Sequence, residues 1–297
     1  MAIHGYNCLS PSYWPTKGAY IRLWDIGLAW SNMNPAPGVY DFSLLESILS
    51  SHTTGVNFTL VLAGTPQWAA SNPAETGYAP WIGAASNSPP ARMADWEAYV
   101  RAVVLACNGR VPFFEIWNEP QLTDFWKPYT DATLDKLAQM TLRARAIIKQ
   151  YAPSAKIVSA SVLPRRSSGG MTRASKYLQA LKRLGWPVDI HAAHIYPEIG
   201  KMPADWRDYG LEWKAELNRL NAPNCPLWVT ETNYNLMGGA LTDAQINQRI
   251  PATEKFAADL SIRRVYWYAY GVHSNPAVLG IPFQHGSRGT TVLAGFQ

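Results

Sequence analysis

The sequence predicts a single closed (β/α)8 barrel, a TIM barrel, spanning residues 1–297, on three observations. Eight strand-like runs alternate with helix-like segments. Such alternation indicates parallel strands joined by right-handed crossovers, and eight strands favour a closed barrel over an open sheet. The length suits one barrel domain, and no linker or low-complexity tract divides the chain.

The predicted strands are short apolar runs bounded by turn residues. They cover residues 3–9, 20–27, 57–64, 111–118, 156–163, 188–196, 226–232 and 264–271.

Helical patterns lie between most of these strands. They cover residues 41–51, 91–107, 131–152, 173–185, 205–220 and 242–260. In the last of them Pro251 should kink or split the helix, because proline removes a hydrogen bond and clashes with the preceding turn. After the eighth strand no full helix is visible, so we expect the last helix of the barrel to be incomplete.

Composition excludes several classes of function. The net charge is +5, but the basic residues form no stripe with interleaved aromatics, so we expect no nucleic-acid partner. No apolar run reaches 18 residues, which argues against a membrane span. The three cysteines, Cys8, Cys107 and Cys225, have no metal-ligand spacing and are expected to be free thiols. Without a GxGxxG or Walker motif, no nucleotide cofactor is expected.

The segment "FFEIWNEPQ", residues 113–121, places a carboxylate inside an apolar strand. Because side chains alternate along a strand, Phe113, Glu115 and Trp117 are expected to point into the barrel. A carboxylate buried there needs a partner, and Arg22 on the second strand is the candidate.

Two further carboxylates follow strands four and seven, Glu119 and Glu231. Active sites of this barrel lie at the carboxyl ends of the strands, so the two should face each other across the mouth. Such a pair suits glycoside hydrolysis, in which one carboxyl gives a proton while the other is ionised. The spacing leaves open that Glu231 merely pairs with a neighbouring arginine.

An ordered set of motifs runs from about Arg22 to Tyr270. It comprises "IRLW", "PGVYDFSLLESIL", "GTPQWA", "EIWNEP" with "FW" soon after it, "HIYP", "WVTET" and "YWYAY". This set resembles the clan A glycoside hydrolases, most closely family 39 and its relatives. The resemblance implies a (β/α)8 barrel and retention of anomeric configuration.

The resemblance also implies roles for particular residues in a double displacement that needs no metal or organic cofactor. Glu119 would be the general acid/base and Glu231 the nucleophile. Asn118 would bind the 2-substituent of the sugar, and Tyr196 would hydrogen-bond the nucleophile. Arg22 would hold the charge state of the nucleophile, so that Arg22 and Tyr196 together keep the pKa of Glu231 low.

Aromatic residues complete the expected site. The resemblance implies that His194 lines the site and that Trp267 forms a platform for the sugar ring. Trp68 lies after strand three, where clan members often carry a histidine, and it is expected to contact substrate. This departure leaves the contacts to the sugar 3-position open. Further tryptophans in predicted loops either stack on sugars or pack the loops: Trp81, Trp126 and Trp206. Of these, Trp126 is expected to contact substrate.

The substrate class is expected to be a polysaccharide or oligosaccharide. Family 39 xylosidases carry an accessory β-domain for which this chain has no room, so endo action is favoured over exo action. The protein is expected to be a monomer. Two alternatives remain: a barrel that binds glycan without cutting it, and a transglycosylase that uses the same site. The N-terminus has no signal-peptide pattern, and we expect a catalytic domain of a larger surface or virion protein.

Overall fold

Eight parallel strands form one sheet in the computed structural model, which describes residues 2–5, 19–51, 55–164, 170–197, 203–233 and 243–270. The strands are β1 Ala2–Gly5, β2 Ala19–Leu23, β3 Val56–Leu62, β4 Phe113–Ile116, β5 Lys156–Val158, β6 His191–His194, β7 Leu227–Thr232 and β8 Ile262–Tyr270. Their order is β5-β4-β3-β2-β1-β8-β7-β6. Parallel bridges from Val158 to Ile190 and from Val162 to Ala193 join β5 to β6 and close the barrel.

Helices follow the strands as the sequence predicts. The described ones are α1 Trp30–Met33, α2 Ser43–Ser51, α3 Met93–Cys107, α4 Asp131–Tyr151, α5 Gly170–Arg183, α6 Pro203–Arg219 and α7 Asp243–Asp259. The predicted split at Pro251 does not occur, because α7 continues through it. Ile250 and Ala257 are buried in the main hydrophobic core, which offsets the cost of the proline. The expected incomplete eighth helix lies outside the described residues.

Helix α4 shows how local sequence positions an element. Thr130 caps its first turn by accepting a hydrogen bond from the backbone of Thr133, whose side chain in turn accepts from the Thr130 backbone. This reciprocal capping satisfies two donors that the helix leaves unpaired. The apolar residues Leu134 and Leu137 are buried, as their spacing predicts.

Aromatic side chains pack the lower end of the barrel, at the amino ends of the strands. Phe113, Tyr20, Trp228 and Tyr266 pack together there, and the guanidinium of Arg264 lies 3.0 Å from the ring centroid of Tyr20. This packed layer fills the lower end of the barrel, and the carboxyl ends of the strands, where active sites of this fold lie, are at the opposite end.

The described residues bear on two sequence expectations, the lack of a membrane-spanning helix and the presence of free cysteines. Among the described residues, no helix is both long enough and apolar enough to cross a membrane. Cys107 and Cys225 are free, as expected, and burial raises the pKa of Cys107 to about 12. Cys8 lies outside the described residues.

Candidate active site

A buried arginine forms the centre of the polar layer. Arg22, on β2, is completely buried, and it donates to both carboxylate oxygens of Glu115, over 2.8 Å from Nε and 2.9 Å from a terminal nitrogen. The same side chain donates to Glu231 over 2.5 Å and to Asn118 Oδ1 over 2.8 Å. Thus the predicted partner of Glu115 is confirmed, and one guanidinium fixes residues from three other positions of the barrel wall.

Glu231 is held by a second donor. The hydroxyl of Tyr196 donates to Glu231 Oε2 over 2.7 Å, while Arg22 binds the other oxygen. Both side chains therefore orient the carboxylate, which is only 6% exposed. Charge-assisted hydrogen bonds of this kind are among the stronger ones in proteins.

His194 bridges the two carboxylates. Its Nδ1 lies 2.7 Å from Glu119 Oε1 and 3.4 Å from Glu231 Oε2. One oxygen of each carboxylate and one ring nitrogen all lie within 4.8 Å of one another. These three groups could ligate a divalent cation in principle, since histidine and carboxylate suit several transition metals.

A break in β4 aims Asn118 and Glu119 at the mouth. The strand ends at Ile116, and Trp117 and Glu119 both have positive φ, 80° and 38°. Such angles are uncommon for residues other than glycine and cluster at functional sites. Phe113 and Glu115 point inward as predicted.

The prediction for Trp117 is wrong. Its indole packs edge-on against Trp126 and donates to the carbonyl oxygen of Phe125, and it also lies beside Trp96 of α3. The positive φ at Trp117 breaks the alternation that would have turned the ring inward.

A register shift in β7 turns the side chain of Glu231 toward the barrel interior. Thr230 points into the barrel, where its hydroxyl lies 3.4 Å from Glu115, while the hydroxyl of Thr232 accepts from Trp206 of α6. The pairing of β7 with β8 shifts between Val229 and Thr232. Because an extra residue in a strand breaks the alternation, Thr230 and its neighbour Glu231 both face inward.

The electrostatics of Glu231 differ from the sequence expectation. Burial raises its pKa to about 7, although the charges of His194 and Arg22 act to lower it; Glu119 and Asp25 add smaller upward shifts. The expectation of a low pKa considered only the cation Arg22 and the hydrogen-bond donor Tyr196, and it omitted the loss of hydration, which is the largest effect for this buried carboxylate.

Two tryptophans that were expected to contact substrate, and a third for which stacking and packing were both open, are largely covered. Trp267 is 1% exposed and Trp126 is fully buried, so neither has the open face that a sugar platform requires. Trp206 is also fully buried beneath Thr232, which fits packing. Trp68 is partly exposed, and its ring nitrogen donates to the carbonyl oxygen of Asn34 over 2.9 Å.

Sequence reasoning missed one charged residue at the mouth, Asp25. Asp25 follows β2, and its carboxylate accepts from Trp81 over 2.9 Å and from the hydroxyl of Tyr268 on β8 over 3.1 Å. Asp25 lies three residues after Arg22, at the carboxyl end of a strand. That position was the available signal, since it is where barrel active sites are built.

The fold is a (β/α)8 barrel that carries a pair of carboxylates at its strand ends. Several solved structures have a similar fold. No protein-family profile matches the sequence. The fold is similar to a GH39 β-xylosidase from Caulobacter crescentus, at TM-score 0.67 and 19% identity over 99% of this chain and 69% of that one. A glucosidase from Croceicoccus marinus gives TM-score 0.67 and 16% identity, covering 93% of this chain.

An endo-β-1,4-mannanase from Thermotoga petrophila is also similar, at TM-score 0.65 and 13% identity over 99% of this chain and 75% of that one. The chain spans 60% of the length of the glucosidase and 64% of a second, monomeric β-xylosidase from C. crescentus. At these identities the likeness establishes the fold, and it confirms the predicted similarity in fold to family 39.

Proposed function

We propose that the protein is a retaining glycoside hydrolase with Glu231 as nucleophile and Glu119 as general acid/base. The observation that carries the proposal is their separation, with one oxygen of each carboxylate within 4.8 Å of the other. Retaining enzymes hold the two carboxyl groups ~5–5.5 Å apart, whereas inverting enzymes leave ~6.5–9.5 Å for a water molecule.

The contacts favour this assignment of roles. Glu231 receives hydrogen bonds from Arg22 and Tyr196, which orient its carboxylate and stabilise its negative charge. Glu119 lies at the rim, 9% exposed, and its carboxylate contacts His194. A proton donor must reach the leaving oxygen from the cleft, which suits the rim position.

The first step forms a covalent glycosyl-enzyme. An oxygen of Glu231 attacks the anomeric carbon, the bond from that carbon to the leaving oxygen breaks, and Glu119 gives its proton to that oxygen. The ester on Glu231 has lost the negative charge that Arg22 had stabilised. Ionised Glu119 then faces no neighbouring anionic nucleophile.

The second step releases the sugar. Glu119, now ionised, takes a proton from water, and the resulting oxygen attacks the anomeric carbon and displaces Glu231. His194 lies between the two carboxylates and is placed to donate from Nδ1 to Glu119 while that residue is ionised. Two inversions at one carbon give net retention.

Within the proposal, the substrate is a polysaccharide and the mode of cutting is endo. The support is the similarity in fold to the endo-β-1,4-mannanase and to a xylanase from Paenibacillus barcinonensis, which matches with TM-score 0.60 and 15% identity. The sizes of released products test the mode directly, because internal cleavage gives oligosaccharides of mixed length.

The experiment is a digestion screen against xylan, mannan and bacterial cell-wall and capsular polysaccharides, with products sized by mass spectrometry. The E231Q variant is measured beside the native protein, and E97Q serves as a matched control, since Glu97 lies on α3 and pairs with Arg143 on the neighbouring helix. Release by the native protein and E97Q, but not by E231Q, supports the proposal. Binding without release from any polysaccharide would replace it with a glycan-binding function.

A further inference from the structure

An exposed tryptophan lies on a firmly held loop after β3. Trp81 is 58% exposed, although its neighbours in the loop, Ala79 and Ile82, are almost completely buried. The backbone nitrogen of Ile82 donates to the carbonyl oxygen of Ala79 over 3.0 Å, and the hydroxyl of Ser31 donates to the carbonyl oxygen of Ile82. The large apolar ring is therefore presented to solvent from an anchored segment.

The ring itself is fixed through its polar edge. Trp81 Nε1 donates to Asp25 Oδ1 over 2.9 Å, and the hydroxyl of Tyr268 donates to the other oxygen of Asp25 over 3.1 Å. Asp25 has φ of 60°, a left-handed backbone conformation that costs energy unless the surroundings maintain it. This hydrogen bond occupies the polar edge of the indole and not its faces, and a pre-oriented ring loses little entropy on binding.

This cluster borders the reaction centre. Asp25 follows Arg22 by three residues on the same strand end, and Arg22 binds Glu231 directly. Burial raises the pKa of Asp25 to about 6, the charge of Arg22 lowers it, and the charge of Glu119 raises it slightly. Tyr268, whose hydroxyl donates to Asp25, also accepts at its carbonyl oxygen from the side chain of Asn233, two residues after Glu231. These contacts place Asp25 beside the strand ends that carry Arg22 and Glu231.

We propose that Trp81, held by Asp25, forms a sugar-binding subsite beside the reaction centre, where it stacks on a neutral sugar ring within a longer glycan chain. The C–H face of a pyranose is apolar and packs on an aromatic ring, which removes both surfaces from water. Beside this ring lies the carboxylate of Asp25, which accepts from Trp81 Nε1 over 2.9 Å. Its negative charge disfavours an anionic sugar. This subsite rests on the proposed function.

The test measures affinity for xylohexaose, mannohexaose and cellohexaose by isothermal titration calorimetry in the E231Q background. W81A is compared with W81F, which keeps an aromatic ring but loses the hydrogen bond to Asp25. Y151A is the matched control, because Tyr151 is also an exposed aromatic, 41% exposed, but ends α4 and so lies at the opposite end of the barrel. Cleavage of the same hexaoses by the native protein is measured in parallel, and thermal unfolding checks that each variant folds.

For a hexaose that binds, W81A should weaken binding by roughly tenfold or more, W81F by less, and Y151A not at all. A folded W81A variant that binds within about twofold of its parent overturns the subsite and leaves the proposed function intact. If the native protein cleaves none of the hexaoses but E231Q binds one with the predicted order of variants, the subsite stands and hydrolysis of these sugars fails. If the native protein cleaves none of the hexaoses and E231Q binds none of them, both the subsite and the proposed function are rejected for these neutral glycans.

Discussion

Replacing Glu115 by glutamine should weaken the fold and at the same time change the acidity of Glu231. Glu115 and Arg22 are both fully buried, and two hydrogen bonds of 2.8 and 2.9 Å join them. Removing one partner of a buried ion pair costs ~3–5 kcal/mol, because the other charge remains uncompensated. Arg22 keeps Glu231 as a partner, so we expect a loss near the lower end, about 3 kcal/mol.

The assay is chemical and thermal unfolding. A loss of that size lowers the melting temperature by about 5 °C, since an unfolding entropy of ~2.1 cal/mol/K per residue gives roughly 1.6 °C per kcal/mol for a chain of 297 residues. The control is D259N, which breaks an exposed pair with Lys255 on α7 and should change stability by less than about 1 kcal/mol.

The same variant has a second consequence at Glu231. In E115Q the charge of Arg22 acts on Glu231 alone, so the pKa of Glu231 should fall below its native value of about 7. The acid limb of the pH profile of kcat/KM should therefore move to lower pH. A variant as stable as the native protein, with an unchanged acid limb, would refute the reasoning that one buried arginine couples the two carboxylates.

Three further predictions concern the catalytic pair. E231Q should lower kcat by about 10⁴-fold or more, because the nucleophile is lost. E119Q should spare the first step for aryl glycosides, whose leaving groups need no proton. Equal and modest losses in steady-state kinetics would mean that the roles are misassigned. In the native protein kcat/KM should fall about tenfold per unit below pH 7, because Glu231 must be ionised to attack and burial raises its pKa to about 7; a flat profile from pH 5 to 7 contradicts this. Y196F removes the 2.7 Å hydrogen bond to Glu231, so the acid limb should move to higher pH and the rate at pH 6 should fall about tenfold.

A stability measurement checks the same pKa independently of activity. The pKa of Glu231 is raised from 4.5 to about 7 on folding, so between these values the native state binds more protons than the unfolded state. The contribution of Glu231 to stability is therefore present below pH 4.5 and is lost as pH rises through 7, by up to about 3 kcal/mol at 1.36 kcal/mol per unit. The unfolding free energy of the native protein relative to E231Q should decline over that interval; a constant difference contradicts the raised pKa.

The sequence alone predicted the architecture because its signals are local and repeated. Each buried strand appears as an apolar run and each helix as a 3.6-residue pattern, and eight strands with helices between most of them leave few alternatives to a closed barrel. The strand-end rule then selected Glu119 and Glu231, and burial of Glu115 required a cationic partner, which the structure confirms as Arg22.

What only the tertiary structure decided were the departures from regular alternation. The positive φ values at Trp117 and Glu119 and the register shift in β7 turn side chains away from the directions that a period of two predicts. The burial of Trp126 and the exposure of Trp81 likewise depend on how loops fold over the barrel mouth. The pKa of Glu231 reflects a balance between lost hydration and the charges of residues distant in sequence, and that balance exists only once the barrel has brought them together.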